Sequence, residues 1–171
     1  EPLIWEKVCS AGGKEGEAVT SIEKVGGGFG KGYTEAVKHW RDLMAALDYL
    51  RSEKGMASVL IAHVAVKTFQ DPGGENYDTW EIDINKRALS AIQRWSDAIL
   101  FANCKVFTRV VKDGMKETKK GILRNDRLLF TQKRPAHPGG GRGVFGQLPY
   151  ELELTYAAWQ AAITAAKAEK K

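Results

Sequence analysis

The run Ala57-Ser58-Val59-Leu60-Ile61-Ala62-His63-Val64 is short, apolar and rich in β-branched residues, and it closes on a histidine. Gly55 stands just before it, and a polar stretch from Ala65 to Thr79 follows at once. An apolar run of this length between turn residues reads as a buried strand. Continuous apolar strands belong to parallel sheets covered on both faces. Such a strand carries His63 to the sheet edge. Ligands in open α/β sheets bind at the carboxyl ends of strands, so His63 is the first candidate functional residue. It reads either as a polar sensor of a ligand phosphate or as a hydrogen-bonded histidine at a strand edge.

The neighbouring segments supply the helices of such a fold. From Thr34 to Lys54, Val37, Trp40, Met44 and Leu47 repeat at helical spacing, and Leu43 and Leu50 widen the stripe. Arg51 and Lys54 favour the helix dipole in the last turn, and Gly55 ends the helix. Leu3, Ile4, Trp5 and Val8 predict a short helix over 2–10. Asn85 predicts a cap for a helix running through Trp95. Leu154 to Lys167 predicts a closing amphipathic helix. Trp80, Ile82 and Ile84 alternate with Glu81 and Asp83 as a half-exposed strand. Ala98–Ala102, continuing through Val110, and Arg127–Gln132 read as two further strands, with Asp113-Gly114 as a hairpin turn. The charged stretch Lys116–Arg124 reads as exposed surface, and Pro135–Pro149 as a second Gly/Pro-rich loop. Alternating helices and strands with short links predict one α/β domain over 1–171, its sheet mostly parallel and flanked by helices.

At 171 residues, 43% hydrophobic and 27% charged, the composition is that of a globular protein with a real core. The formal charge of +5 permits contact with a polyanion without demanding it, since Lys and Arg are spread along the chain. Two cysteines, Cys9 and Cys104, make no disulfide framework, so a reducing, cytoplasmic setting is expected. No apolar run approaches the roughly 18 residues of a membrane span, so no membrane partner is expected. The start at Glu1-Pro2, without a methionine and running straight into a helix, suggests a truncated or processed chain.

Candidate chemistry concentrates in two loops. Lys67, Phe69, Gly73, Gly74 and Asn76 give the stretch after His63 a cation, an aromatic ring and a pliant backbone. That mixture suits single-stranded nucleic acid, and equally a plain solvated loop. The Gly-rich stretch Ala11–Gly32 reads as a flexible loop, functional or disordered. Its end, Gly26-Gly27-Gly28-Phe29-Gly30-Lys31-Gly32, is not a phosphate loop. Val25 stands where G-x-x-x-x-G-K-[ST] needs its first glycine, and Gly32 where it needs a hydroxyl for magnesium. Arg142, flanked by glycines, reads as a cation able to reach a phosphate or as a solvated loop arginine. Glu81 and Asp83 read as a solvated pair on a half-exposed strand rather than as catalytic carboxylates. The histidines and cysteines lack metal-ligand spacing.

Taken in order, "EPLIWEKVC", "GKGY", "EAVKHWRDLMAALDYLR", "VLIAHVAVKTFQDPGGENYDTWEIDI", "KRALSAIQRWSDAILFAN", "LLFTQKRPAHPGGGRG" and "LPYELELTYAAW" resemble the phage-type nucleotide-binding proteins. These are RecA-like P-loop ATPases of recombination and single-strand annealing. The resemblance covers nearly the whole chain and implies a partial RecA-like sheet. It implies that His63 senses the γ-phosphate and that Val64–Thr79, with Lys67, Phe69 and Asn76, is a DNA-binding loop. It implies that Ala11–Gly32, with Lys31, is the other DNA-facing loop. It also implies that Arg142 reaches nucleotide on a neighbouring subunit, although the family's lysine at that place is absent. The family's phosphate loop, catalytic glutamate and Walker B aspartate precede the segment matching Glu1–Trp5 and have no counterpart here. The chain therefore matches the carboxyl-terminal part of the core. ATP and Mg²⁺ are then expected only if an upstream phosphate loop is supplied, and self-association is expected to cover the open sheet edge. The competing expectation is a non-enzymatic module that binds DNA or another polyanion, or forms oligomers.

Overall fold

The computed structural model describes residues 1–113 and 116–168, and within 106–125 it describes the backbone alone. The chain divides into two compact units. One comprises Glu1–Ala65 and Ile82–Ser96; the other comprises Val66–Glu81 and the residues from Asp97 on.

The first unit is helical. α1 spans Pro2–Cys9 and opens with a proline whose missing N–H costs nothing in the first turn. α2 spans Lys31–Lys54, three residues longer at its start than the apolar stripe predicts. It stops at Gly55, whose left-handed φ of 61° is open to glycine at little cost. α3 spans Lys86–Trp95, and the Asn85 side chain caps it by accepting from the Arg87 N–H. The Glu1 carboxylate accepts from the Asn85 N–H at 2.9 Å and ties the chain's start to that cap. Trp95 donates its indole N–H to Asp48 at 3.0 Å, joining α3 to the last third of α2.

The stretch Ala11–Gly32, expected as a loop, contributes to this unit's core. A 3₁₀ segment over Ile22–Gly27 buries Ile22 and Val25 beside Val8 of α1 and Ala36 of α2. Ile4, Trp5, Cys9, Val19 and Tyr33 pack around them. Gly32 is required here. A Cβ at that position would stand 2.1 Å from the Ile22 carbonyl oxygen.

The second unit is mostly strand. β1 (Val64–Phe69) and β2 (Tyr77–Ile82) form a two-stranded sheet. β3 (Ala98–Ile99) pairs with β6 (Gly140–Gly141). β4 (Phe101–Asp113) and β5 (Lys116–Phe130) form a long hairpin, and β7 (Glu151–Glu153) adds to the base of β5. α4 (Tyr156–Ala168) closes the unit, packing Ala162 and Ala166 against the fully buried Leu148. Phe145 stacks on Trp159 at 5.9 Å.

Helix and strand mix as an α/β class requires, but two expectations about the sheet are corrected. The β3–β6, β4–β5 and β5–β7 pairings are antiparallel, not parallel, and the strands fall into three small sheets. The run Ser58–His63 is not a strand, and it is exposed: Val59 is 83% and Ile61 96% accessible. A strand exists only where a neighbour accepts and donates its backbone hydrogen bonds. Among the described residues, no strand pairs with 58–63. One loop expectation also gives way. Most of Val64–Thr79 is the β1–β2 hairpin. The charged stretch Lys116–Arg124 lies in β5, and its side chains are outside the described residues. The predicted turn at Asp113-Gly114 falls where β4 meets β5, although Gly114 lies outside the described residues.

Gly32→Ala is expected to lower stability by about 1–3 kcal/mol through overpacking against the Ile22 carbonyl. Gly73→Ala, where the nearest atom to a new Cβ is 3.7 Å away, should change it by under about 0.5 kcal/mol. Urea unfolding followed by circular dichroism separates the two.

Candidate functional site

His63 lies on the exposed run just before β1, and its carbonyl accepts from the Asp83 N–H at 2.9 Å. This bond anchors the backbone on either side of the β1–β2 hairpin within the first unit. The residue thus sits at the surface on an exposed segment outside any strand, not at the end of a buried one.

Beyond it, the hairpin orders the residues expected to touch nucleic acid. Lys67 and Phe69 alternate on β1 and share one face. Three cross-strand contacts set the register. The Lys67 ammonium pairs with the Glu81 carboxylate at 3.0 Å, and Thr68 donates to Asp78 at 2.8 Å. Phe69 packs on Tyr77 with ring centroids 5.2 Å apart. The turn is built by Asp71, whose side chain accepts from the Gly73 N–H at 3.0 Å, a local bond that Asp makes readily. Asn76 is exposed on this turn. Phe69 remains 45% accessible, so it offers a ring for stacking, while the charge of Lys67 is largely answered by Glu81. Glu81 is therefore an ion-pair partner. Asp83 lies beyond the end of β2.

Lys31 belongs to the first unit. Its ammonium turns back onto the Gly26 carbonyl at 3.1 Å. Arg142 belongs to the second. Its N–H donates to the Asp97 carbonyl at 2.8 Å, and its guanidinium stands 3.6 Å from the Asp97 carboxylate. The β3–β6 pair holds this corner through Ala98↔Gly141, so the backbone at Arg142 is fixed, not a free loop.

A cluster in the second unit escaped the sequence. His137 is buried, with its ring stacked on Phe101 at 4.9 Å and next to Phe130 at 4.9 Å. Its Nδ1 faces the Pro138 carbonyl at 2.9 Å and its Nε2 faces the Tyr150 hydroxyl at 3.0 Å. A carbonyl only accepts, so Nδ1 carries the proton and Nε2 accepts from Tyr150. Arg134 lies over the Tyr150 ring at 4.4 Å. The buried Thr131 donates to the Pro149 carbonyl at 2.7 Å, and Gln132 donates to that of Leu148 at 3.0 Å. The polar ends of this knot are satisfied internally, so it holds the 131–150 segment in place and is not poised for chemistry. Its only trace in the sequence is the placing of Phe101, Phe130, His137 and Tyr150 around a Gly/Pro-rich segment.

The first unit holds an open groove of about 630 Å³ lined by Trp5, Glu6, Cys9, Val19, Glu23 and Tyr33, among others. Tyr33 meets Trp5 edge to face at 5.7 Å and donates to Glu23 at 3.4 Å. Burial chiefly, and the Glu23 charge secondarily, raise the Tyr33 phenol above its ordinary range, so it stays a neutral donor at physiological pH. Among the described residues, no group of three or more His, Cys, Asp or Glu is placed to hold a metal ion. Among them, too, no helix is long and apolar enough to cross a membrane.

With this geometry in hand, comparison with known families is informative. The model of a family described as an AAA domain matches residues 1–143, most of the chain. The chain belongs to that family and so to the nucleotide-binding, P-loop ATPase-like class. No curated protein matches it, and no solved structure does.

That class implies ATP and Mg²⁺, and the Gly-rich loop does not fit them. A phosphate loop holds its ligand on free backbone N–H groups. Here the Gly26, Gly28 and Lys31 N–H groups are spent on the carbonyls of Gly12, Val25 and Gly28 at 2.7, 3.1 and 3.2 Å. The position that needs a magnesium-binding hydroxyl is Gly32, where even a Cβ has no room.

Tyr150→Phe is expected to leave Nε2 of the buried His137 without its donor and to cost about 1–3 kcal/mol. Thermal unfolding followed by the near-ultraviolet aromatic signal checks this; an unchanged midpoint would mean water replaces the hydroxyl.

Proposed function

We propose that this chain is the part of a phage-type, RecA-like ATPase that senses nucleotide and acts on single-stranded DNA in recombination or annealing. The phosphate loop and the carboxylates for Mg²⁺ would then come from sequence outside these 171 residues. The AAA domain match supports the nucleotide-binding, ATPase-like part of this reading. The Gly-rich loop's misfit to a triphosphate supports placing the phosphate loop elsewhere.

In this reading His63, on an exposed segment, reports the γ-phosphate to the β1–β2 hairpin that directly follows it. Arg142 supplies a cation to nucleotide on a neighbouring subunit, and self-association covers the exposed Val59 and Ile61. Lys67, Phe69, Asn76 and Lys31 contact the single strand: Phe69 by stacking on a base, the lysines by exchanging their present acceptors for phosphates. The same loop misfit favours a second reading, a non-enzymatic DNA-binding or oligomer-forming module that works without ATP.

ATP hydrolysis separates the two. The 171-residue chain is expected to show no turnover, and a longer chain carrying a phosphate loop to hydrolyse ATP with stimulation by single-stranded DNA. In that longer chain His63→Ala should lower the rate by about a hundredfold, as loss of a transition-state donor does. Absence of turnover in the longer chain would leave the module reading standing. Phe69→Ala should weaken single-strand binding by about 1–3 kcal/mol if a base stacks there, measured by fluorescence anisotropy; unchanged affinity would remove the hairpin from the DNA contact.

A further inference from the structure

Gly28-Phe29-Gly30, just ahead of α2, holds a phenylalanine for which its own unit has no use. All three residues have positive φ, 98°, 56° and 71° in turn. Glycine enters that region at little cost, whereas a bulky side chain there is strained. Phe29 is the one residue other than glycine, among those described, with such a φ. It is also 99% accessible. The ring therefore brings strain and exposed apolar surface to its own chain and no burial to offset them. A glycine would serve the turn better, so the ring is explained only by something it touches outside its own chain.

The same unit carries a surface that matches it. The groove beside α1 is lined by Trp5, Cys9, Val19 and Tyr33 and opens to solvent. Trp5 and Tyr33 meet edge to face at 5.7 Å, and aromatic groups in that arrangement accept a third ring at similar spacing. Glu6 and Glu23, both exposed, complete the lining. The base of Phe29 carries the opposite charge. The Lys31 ammonium lies on the Gly26 carbonyl at 3.1 Å, and the Arg87 guanidinium on the Gly30 carbonyl at 2.9 Å. An aromatic knob with two cations at its base thus faces solvent on the same unit as an aromatic groove with two carboxylates. Since Phe29 is fully accessible, it does not fill the groove of its own chain.

We infer that Phe29 is the anchor by which one copy of this chain docks on a second copy. Its ring enters the partner's Trp5–Tyr33 groove, and Lys31 and Arg87 face the carboxylates of Glu6 and Glu23. Aromatic anchors seated in pockets carry most of the energy of an interface, and complementary charge at the rim sets its orientation. Knob and groove are different patches, so the contact is heterologous. Exchanged between two copies it closes a dimer, and passed in one direction it builds a ring or a filament. A single-stranded nucleic acid could stack a base on Phe29, but it leaves the groove and its carboxylates unanswered. A second copy answers both. The inference goes beyond the proposed function, needs neither ATP nor DNA, and concerns a different surface from Val59 and Ile61.

The test is sedimentation velocity on the whole 171-residue chain over a range of concentrations. The parent is expected to associate as concentration rises, and Phe29→Ala to associate at least about tenfold more weakly. Phe29→Trp should associate as the parent does, and Glu6→Lys/Glu23→Lys should weaken association as Phe29→Ala does. Phe29→Gly should lose association while its urea midpoint, taken where the parent is monomeric, stays level or rises. A lower midpoint would show that the ring supports its own fold and would overturn the inference. With p-benzoylphenylalanine in place of Phe29, irradiation should give a covalent dimer whose cross-link maps to residues 5–9 or 19–23. Cross-links elsewhere, or only to added oligothymidine, would overturn the inference. So would a parent that stays monomeric throughout, or a Phe29→Ala protein that associates unchanged. If Ile61→Asp gave the monomer in that last case, self-association through Val59 and Ile61 would stand without the knob.

Discussion

The first turn of α2 lies against the Ile22 carbonyl with no room for a side chain between them, and much of the first unit follows from that approach. It fixes the 3₁₀ segment over Ile22–Gly27 on the helix and brings Ile22 and Val25 onto Val8 and Ala36. It also turns the Gly-rich stretch inward. Backbone N–H groups that could have cradled an anion are used to close the chain on itself. A glycine loop ahead of a helix can serve a phosphate or a core. Here packing decides for the core, and the absence of a hydroxyl at position 32 is a steric requirement and not a lapse from a motif.

The helices were legible because each carries its own explanation. The apolar spacing from Val37 to Leu50, the stop at Gly55 and the cap at Asn85 need no information from elsewhere in the chain. The run Val59–Ile61 was misleading for the opposite reason. Its composition reports a preference for extended backbone and burial, but a strand needs partners, and the described residues offer it none. The β1–β2 hairpin was legible in principle. β-Branched and aromatic residues flank Asp71-Pro72-Gly73-Gly74, a strong turn signal, yet the polarity of the stretch outweighed the alternation.

The candidate site was legible residue by residue and not as an arrangement. His63 ends an apolar run in the sequence, but its setting is an exposed segment and not a sheet edge. The sequence offers Lys67 and Phe69 as a cation and an aromatic ring, and only the fold shows that Glu81 already answers Lys67. A phosphate that engages this lysine must compete with a carboxylate at 3.0 Å. Half-exposed pairs of this kind contribute about 1 kcal/mol or less. A polyanion placed there would win this competition at low salt and give it up as salt rises, because the ion pair and the phosphate contact are screened unequally once counterion release is counted.

Charge is where fold and sequence differ most in what they disclose. A basic residue every few positions reads as a solvated chain, because along the sequence the spacing between cations is what counts. In an antiparallel hairpin the relevant spacing is across the strands, and residues 11 apart, such as Arg109 and Lys120, become direct neighbours. The first unit spends its polar groups inward, in caps and close approaches. The second knots its buried histidine, threonine and aromatic rings at the base of the sheet.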